Sequence, residues 1–181
     1  MTATPDTAQT AAGGLPFDSP EDWKNFFEKF GANGRTYQDF TQLTPQSMEV
    51  IYMIGYNQYN AGKYGEAERI FQLLAMLNHF ERRYWTGLAA SRELQKKYDD
   101  AIKAYGYLAM LDLEDPLPPL LMAKCFLAAG KVADAEGALH ACVFVARKKA
   151  QHAEIVQQAE DLLELLSKND DDNNAHAKTQ P

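Results

Sequence analysis

An all-α fold of stacked helix pairs is predicted by three features of this 181-residue chain. A six-residue pattern recurs without gaps as Gly62-Lys63-Tyr64-Gly65-Glu66-Ala67, Lys96-Lys97-Tyr98-Asp99-Asp100-Ala101 and Gly130-Lys131-Val132-Ala133-Asp134-Ala135, each copy 34 residues from the last. Apolar residues between the copies return at helical spacing, and no segment shows the strict alternation of a half-buried strand.

Taken in order, residues 1–18 are rich in Thr, Ala, Gly and Pro and hold little for a core, so they are expected to be disordered. Residues 19–43 form an N-terminal helical region. Ser19-Pro20-Glu21-Asp22 supplies a capping hydroxyl, a proline in the first turn and acids at the positive end of the dipole. Trp23, Phe26, Phe27 and Phe30 then fall on one face, closed by Gly31. That is more aromatic surface than a short cap needs, which makes these four residues the candidate interface of a homodimer. Thr44-Pro45 opens the next helix, and residues 44–144 carry the three repeats. A last long helix is expected from about Ala141 to Leu166, so that 145–167 becomes a C-terminal capping helix, with Ile155, Leu162, Leu163, Leu165 and Leu166 as its apolar residues. Residues 168–181, with Asp170-Asp171-Asp172, read as a disordered acidic tail.

The repeats fix the architecture. Each Ala is followed four residues on by a large side chain (Phe71, Tyr105, Leu139) and three later by Leu74, Leu108 or Cys142. The small Ala lets two antiparallel helices approach, and the large residue one turn on fills the space between them. Period and pattern are those of the tetratricopeptide (TPR) repeat. The fold class is therefore a TPR solenoid of three helix pairs, with flanking N-terminal helices and a long C-terminal capping helix.

Composition narrows function. The formal charge of −7 disfavours nucleic-acid binding, and no apolar run approaches the roughly 20 residues of a membrane span. The N-terminus lacks the basic and apolar regions of a secretory signal, so the chain is expected to be cytoplasmic. Cys125 and Cys142, set among Ala, Leu, Phe and Val, suit core filling better than a disulfide. The four histidines have no metal-ligand spacing and there is no phosphate loop or nucleophile elbow, so no enzyme activity, metal or cofactor is expected.

Binding should then reside in the groove lined by the first helix of each pair. In repeat one, Ile51, Ile54, Gly55 and Gln58 are expected to pack on the second helix, leaving Tyr52, Tyr56 and Tyr59 to face the groove. Rigid amphipathic rings give large contact area at low entropy cost, which suits peptide binding. Repeat two offers Arg83, Thr86, Ala90 and Glu93 on the same face, and repeat three Leu117, Leu120, Lys124 and Leu127. Such a wall fits an extended segment with a few apolar anchors.

Leu43 to about Leu139 resembles the TPR-containing (class II) translocator chaperones of bacterial type III secretion. The resemblance rests on Tyr52, Asn57-Gln58-Tyr59, Gly62-Lys63-Tyr64, Leu77-Asn78-His79, Arg83-Tyr84-Trp85-Thr86-Gly87-Leu88, Asp115-Pro116 and Ala123-Lys124-Cys125. It implies a cytosolic chaperone without nucleotide use that binds hydrophobic pore-forming translocators through an extended segment in the groove. It also implies homodimers formed through the N-terminal region and, in some members, a transcriptional regulator as a further partner. A general TPR scaffold or regulatory adaptor for another cytosolic protein is the alternative. Asn78 and Lys124 depart from the family pattern, where Asp and Glu are expected.

Overall fold

The computed structural model describes residues 36–177 apart from Gln42. The expected aromatic helix with Trp23, Phe26, Phe27 and Phe30 lies outside them. Among the described residues a short 3-10 turn, Tyr37–Phe40, precedes seven α-helices: α1 Pro45–Asn60, α2 Tyr64–Leu77, α3 Arg82–Leu94, α4 Tyr98–Leu111, α5 Leu117–Ala128, α6 Val132–Ala146 and α7 Ala153–Ala177. No strand occurs among the described residues, and no helix there is long and apolar enough to cross a membrane.

Each helix packs on the next, and α1 also touches α3, as the stacking of three pairs requires. The Thr44 hydroxyl starts α1 by accepting from the Ser47 N–H at 3.1 Å, with Pro45 at the first position. The first helix of every repeat ends in the same way. The N–H of Gly62, Lys96 and Gly130 donates three residues back, to the carbonyls of Tyr59, Glu93 and Leu127 at 3.0, 2.8 and 3.0 Å. The following N–H of Lys63, Lys97 and Lys131 reaches five residues back, to Gln58, Arg92 and Phe126, each at 2.9 Å. This is the Schellman closure, and it needs a left-handed residue at its centre. Gly62 and Gly130 supply it at φ +74° and +73°, whereas Lys96 is forced to φ 60°. Lys96→Gly is accordingly expected to stabilise the fold by about 1 kcal/mol, read as a rise in the denaturant midpoint.

The motif alanines Ala67, Ala101 and Ala135 are fully buried, and Phe71, Tyr105 and Leu139 fill the space one turn on. One core runs from Met48 to Cys125 through repeats one and two into α5; a second gathers Leu120, Ala123, Leu139, Cys142, Val143 and Ala159. Cys125 and Cys142 are buried free thiols, pushed up by burial to about 12 and about 11, so they serve as core fillers.

Polar stitches join successive repeats. Glu68 of α2 accepts from Arg92 Nε at 3.0 Å, Gln95 Nε2 at 2.9 Å and Lys97 Nζ at 2.7 Å. Burial alone would raise this carboxyl, but the bonds from Lys97, Arg92 and Gln95 outweigh it and hold the group at about 2. Because the folded value is depressed, the clamp stabilises fully above the ordinary 4.5 and is lost as pH falls from there toward about 2. Glu68→Gln should therefore lower stability at neutral pH and flatten the acid limb of a pH–stability curve between those values. Arg82 likewise ties α3 to Asp112 at 2.5 Å and to Asp115.

Two expectations are corrected. The single helix foreseen from Ala141 to Leu166 is broken: α6 stops at Ala146, a 3-10 turn spans Ala150–His152, and α7 then runs to Ala177, into the segment expected to be a disordered tail. The break lets α7 fold back on α6 and set Ala159, Ile155, Leu162, Leu163 and Leu166 against the second core, with Arg147 meeting Glu160 at 2.5 Å. Ile54, expected to pack on the second helix, is 48% exposed instead. Gly55 beside it takes the close approach, and Ile54 shares an exposed face with Val50 and Met53.

Candidate peptide-binding groove

The repeat period sets the rows of the candidate site. Residues 34 apart on α1, α3 and α5 occupy equivalent places, giving Tyr52–Thr86–Leu120, Tyr56–Ala90–Lys124 and Tyr59–Glu93–Leu127. The first helices of such a stack line its concave side.

At the α1 end lies a preorganised aromatic group. The rings of Tyr52 and Tyr56 stack with centroids 6.3 Å apart and planes 20° apart. Tyr52 is braced from behind by Phe71 at 5.8 Å and Tyr84 at 5.9 Å, and the Arg83 guanidinium lies 4.7 Å from its ring centroid. Arg83 is itself held by Glu81 at 3.2 Å and Glu49 at 3.1 Å, and its bonds to these carboxylates raise its pKa further above the ordinary value. Tyr56 remains 45% exposed, a stacked ring with a free flank. Tyr59 packs edge-on against Tyr64 at 5.5 Å; burial, then Tyr64 and Glu93, raises its hydroxyl pKa.

In the middle, Ala90 is half-buried and sets a small side chain in the row between Tyr56 and Lys124, while Thr86 spends its hydroxyl on the Arg82 carbonyl at 3.0 Å. Glu93 accepts from the Tyr105 hydroxyl at 2.7 Å. Burial first, and this bond second, push the Tyr105 phenol up. At the far end Lys124 is half-buried and donates to Gln158 Oε1 at 3.3 Å, and Leu127 is half-buried. Lys124 with Glu154, Gln157, Gln158, Asp161 and Leu162 lines an open hollow of about 420 Å³.

The sequence-predicted site residues thus divide. Tyr56, Arg83 and Thr86 are exposed, while Tyr52, Tyr59, Ala90, Lys124 and Leu127 are half-buried. Leu120 is corrected: at 1% exposure it packs in the second core with Ala123 and Leu139, where burial of its apolar side chain leaves no surface to line the groove. Sequence reasoning missed Glu49 and Glu81, which fix Arg83, and the α7 residues that line the hollow with Lys124. The i, i+4, i+7 spacing of Glu154, Gln158 and Asp161 was the available signal. Among the described residues no group of His, Cys, Asp and Glu is arranged to hold a metal ion.

Comparison with known proteins agrees with the repeat fold. The tetratricopeptide repeat family model matches residues 48–79 and 84–115. Low calcium response locus protein H of Yersinia pestis is 31% identical over 146 residues, covering 81% of this chain and 87% of that protein. Among solved structures, the type III secretion chaperone SycD of Yersinia enterocolitica, in complex with a peptide of the translocator YopD, matches with a TM-score of 0.65 at 32% identity, covering 72% of this chain and 99% of that one. SycD was also solved in an alternative dimer. PcrH of Pseudomonas aeruginosa, in complex with the chaperone binding region of PopD, matches with a TM-score of 0.65 at 33% identity, covering 71% and 97%. Three stacked repeats and this extent of similarity place the chain in the tetratricopeptide-repeat, class II translocator chaperones of type III secretion.

Proposed function

We propose that this chain is a cytosolic secretion chaperone that holds an extended segment of a hydrophobic translocator in the groove of its first helices, keeping it soluble and export-competent. The observation that carries the reading is the braced aromatic pair: Tyr52 is fixed by Phe71, Tyr84 and Arg83, and it presents Tyr56 with a free flank. A membrane-inserting client must have its apolar segments shielded in water, and a rigid aromatic wall supplies contact area with little further loss of entropy. Tyr52, Tyr56, Tyr59, Arg83, Thr86, Ala90, Lys124 and Leu127 form the binding wall, and Leu120 supports it from within. The chain acts by binding and does no catalysis.

Titration with peptides spanning the chaperone binding region of PopD and the YopD segment bound by SycD tests this. Saturable one-to-one binding is expected for at least one of them; no binding to the folded protein would contradict it. We further propose that Trp23, Phe26, Phe27 and Phe30 pair two copies. Phe26→Glu with Phe30→Glu should then halve the mass seen by light scattering with the helical signal retained, and an unchanged mass would remove this segment from the interface.

A further inference from the structure

Given the groove reading, we infer that Glu93 is the charge-selective anchor of the groove and receives a lysine or arginine side chain of the bound segment. Glu93 follows Thr86 by seven residues and Ala90 by three, so it shares their face of α3. In the row it forms with Tyr59 and Leu127, it sets the one carboxylate between a tyrosine and a leucine. It is half-buried, and among the described residues its carboxylate takes one side-chain hydrogen bond, from Tyr105 to Oε2 at 2.7 Å. Tyr105 is itself 2% exposed, so the donor is fixed in the core and orients the acid. The second oxygen is left for a ligand. Among the described residues no Arg or Lys forms an ion pair with the acid, unlike Glu49, Glu68 and Glu81, which are all engaged by Arg or Lys.

Surrounding charge favours a cation over a neutral donor. Arg83 is offset by Glu49 and Glu81, and Lys124 stands beside Glu154 and Asp161 at the far hollow. With Glu93 these residues sum to a negative wall, and Ala90, three residues before the acid on the same helix, puts only a methyl group beside it. A half-buried carboxylate met by a ligand ammonium or guanidinium discriminates strongly against a neutral side chain of the same length.

The test is a coupling measurement. Peptides of the PopD chaperone binding region and of the YopD segment are prepared with each position replaced in turn by Lys and by Gln, and titrated into wild type and Glu93→Gln. The variant keeps an oxygen acceptor for Tyr105 and removes the charge, and the peptide-side changes leave the chaperone untouched. At one register position Lys should bind roughly tenfold tighter than Gln to wild type, and about equally to Glu93→Gln. Lys-to-Gln ratios that match on both proteins at every position would overturn the anchor while leaving the groove reading intact. Failure of every parent peptide to bind wild type would overturn both.

Discussion

Phe71→Ala is expected to lower the unfolding free energy by about 3–5 kcal/mol, the largest stability effect of any single change considered. The ring is 2% exposed and is clasped by two helices that come close only because they carry glycine there. A Cβ added at Gly87 would stand 2.7 Å from three of its ring carbons, and one added at Gly55 would stand 2.9 Å from Ile70 Cγ2 and 3.2 Å from the ring. Phe71 therefore joins α1, α2 and α3 at one point and also braces Tyr52 of the groove. Gly87→Ala alone should cost about 1–3 kcal/mol by overpacking. Combined with Phe71→Ala it should cost much less than the sum, because the added methyl enters the space the ring has left. Denaturant unfolding of the two single variants and the double variant measures this, and simple additivity would contradict the clasp.

Tyr56→Ala is expected to cost a translocator peptide about 1–2 kcal/mol of affinity, roughly tenfold or more, with the unfolding midpoint nearly unchanged. The ring is 45% exposed and its aromatic contact is the stack on Tyr52, so its loss removes contact area for a ligand more than it removes core. Tyr52→Ala should behave differently. That ring packs on Phe71 and Tyr84 and lies under Arg83, so its removal should lower stability and affinity together. Calorimetric titration paired with circular dichroism separates the two variants. Wild-type affinity in a folded Tyr56→Ala protein would take Tyr56 out of the groove.

Repeat chemistry made most of the fold legible. Three copies of one six-residue pattern, each with a small residue where helices touch and a large one a turn later, leave little freedom in the stacking, and the buried alanines stand where that pattern requires. The Lys96 turn was legible only as a position, since the glycine its backbone prefers is absent. The break after α6 was hidden because Arg147 to His152 contains no Gly or Pro; the tertiary gain of folding α7 back onto the second core ends α6, with no local signal. Groove residues were partly legible. Helical spacing left Tyr56 and Arg83 exposed as expected, but Ile54, expected to pack, is exposed and Leu120, expected on the wall, is buried. Burial of a given face depends on which neighbours are present, and no periodicity encodes the neighbours on the far side of a helix. The acids that hold Arg83 come from α1 and from the turn before α3, contacts that only the assembled stack creates.

Site-specific photocrosslinking tests the central claim most directly. A photoreactive phenylalanine analogue is placed singly at Tyr56 and Leu127 on the first helices, and at Met110, which is 67% exposed on the second helix of repeat two. Each protein is irradiated with the PopD chaperone binding region peptide, or with the YopD peptide should that bind tighter. Strong crosslinks from positions 56 and 127, competed by unlabelled peptide, are expected, with background at position 110. A competed crosslink from position 110 with background at 56 and 127 would place the client on the outer helices and contradict the groove as the binding site.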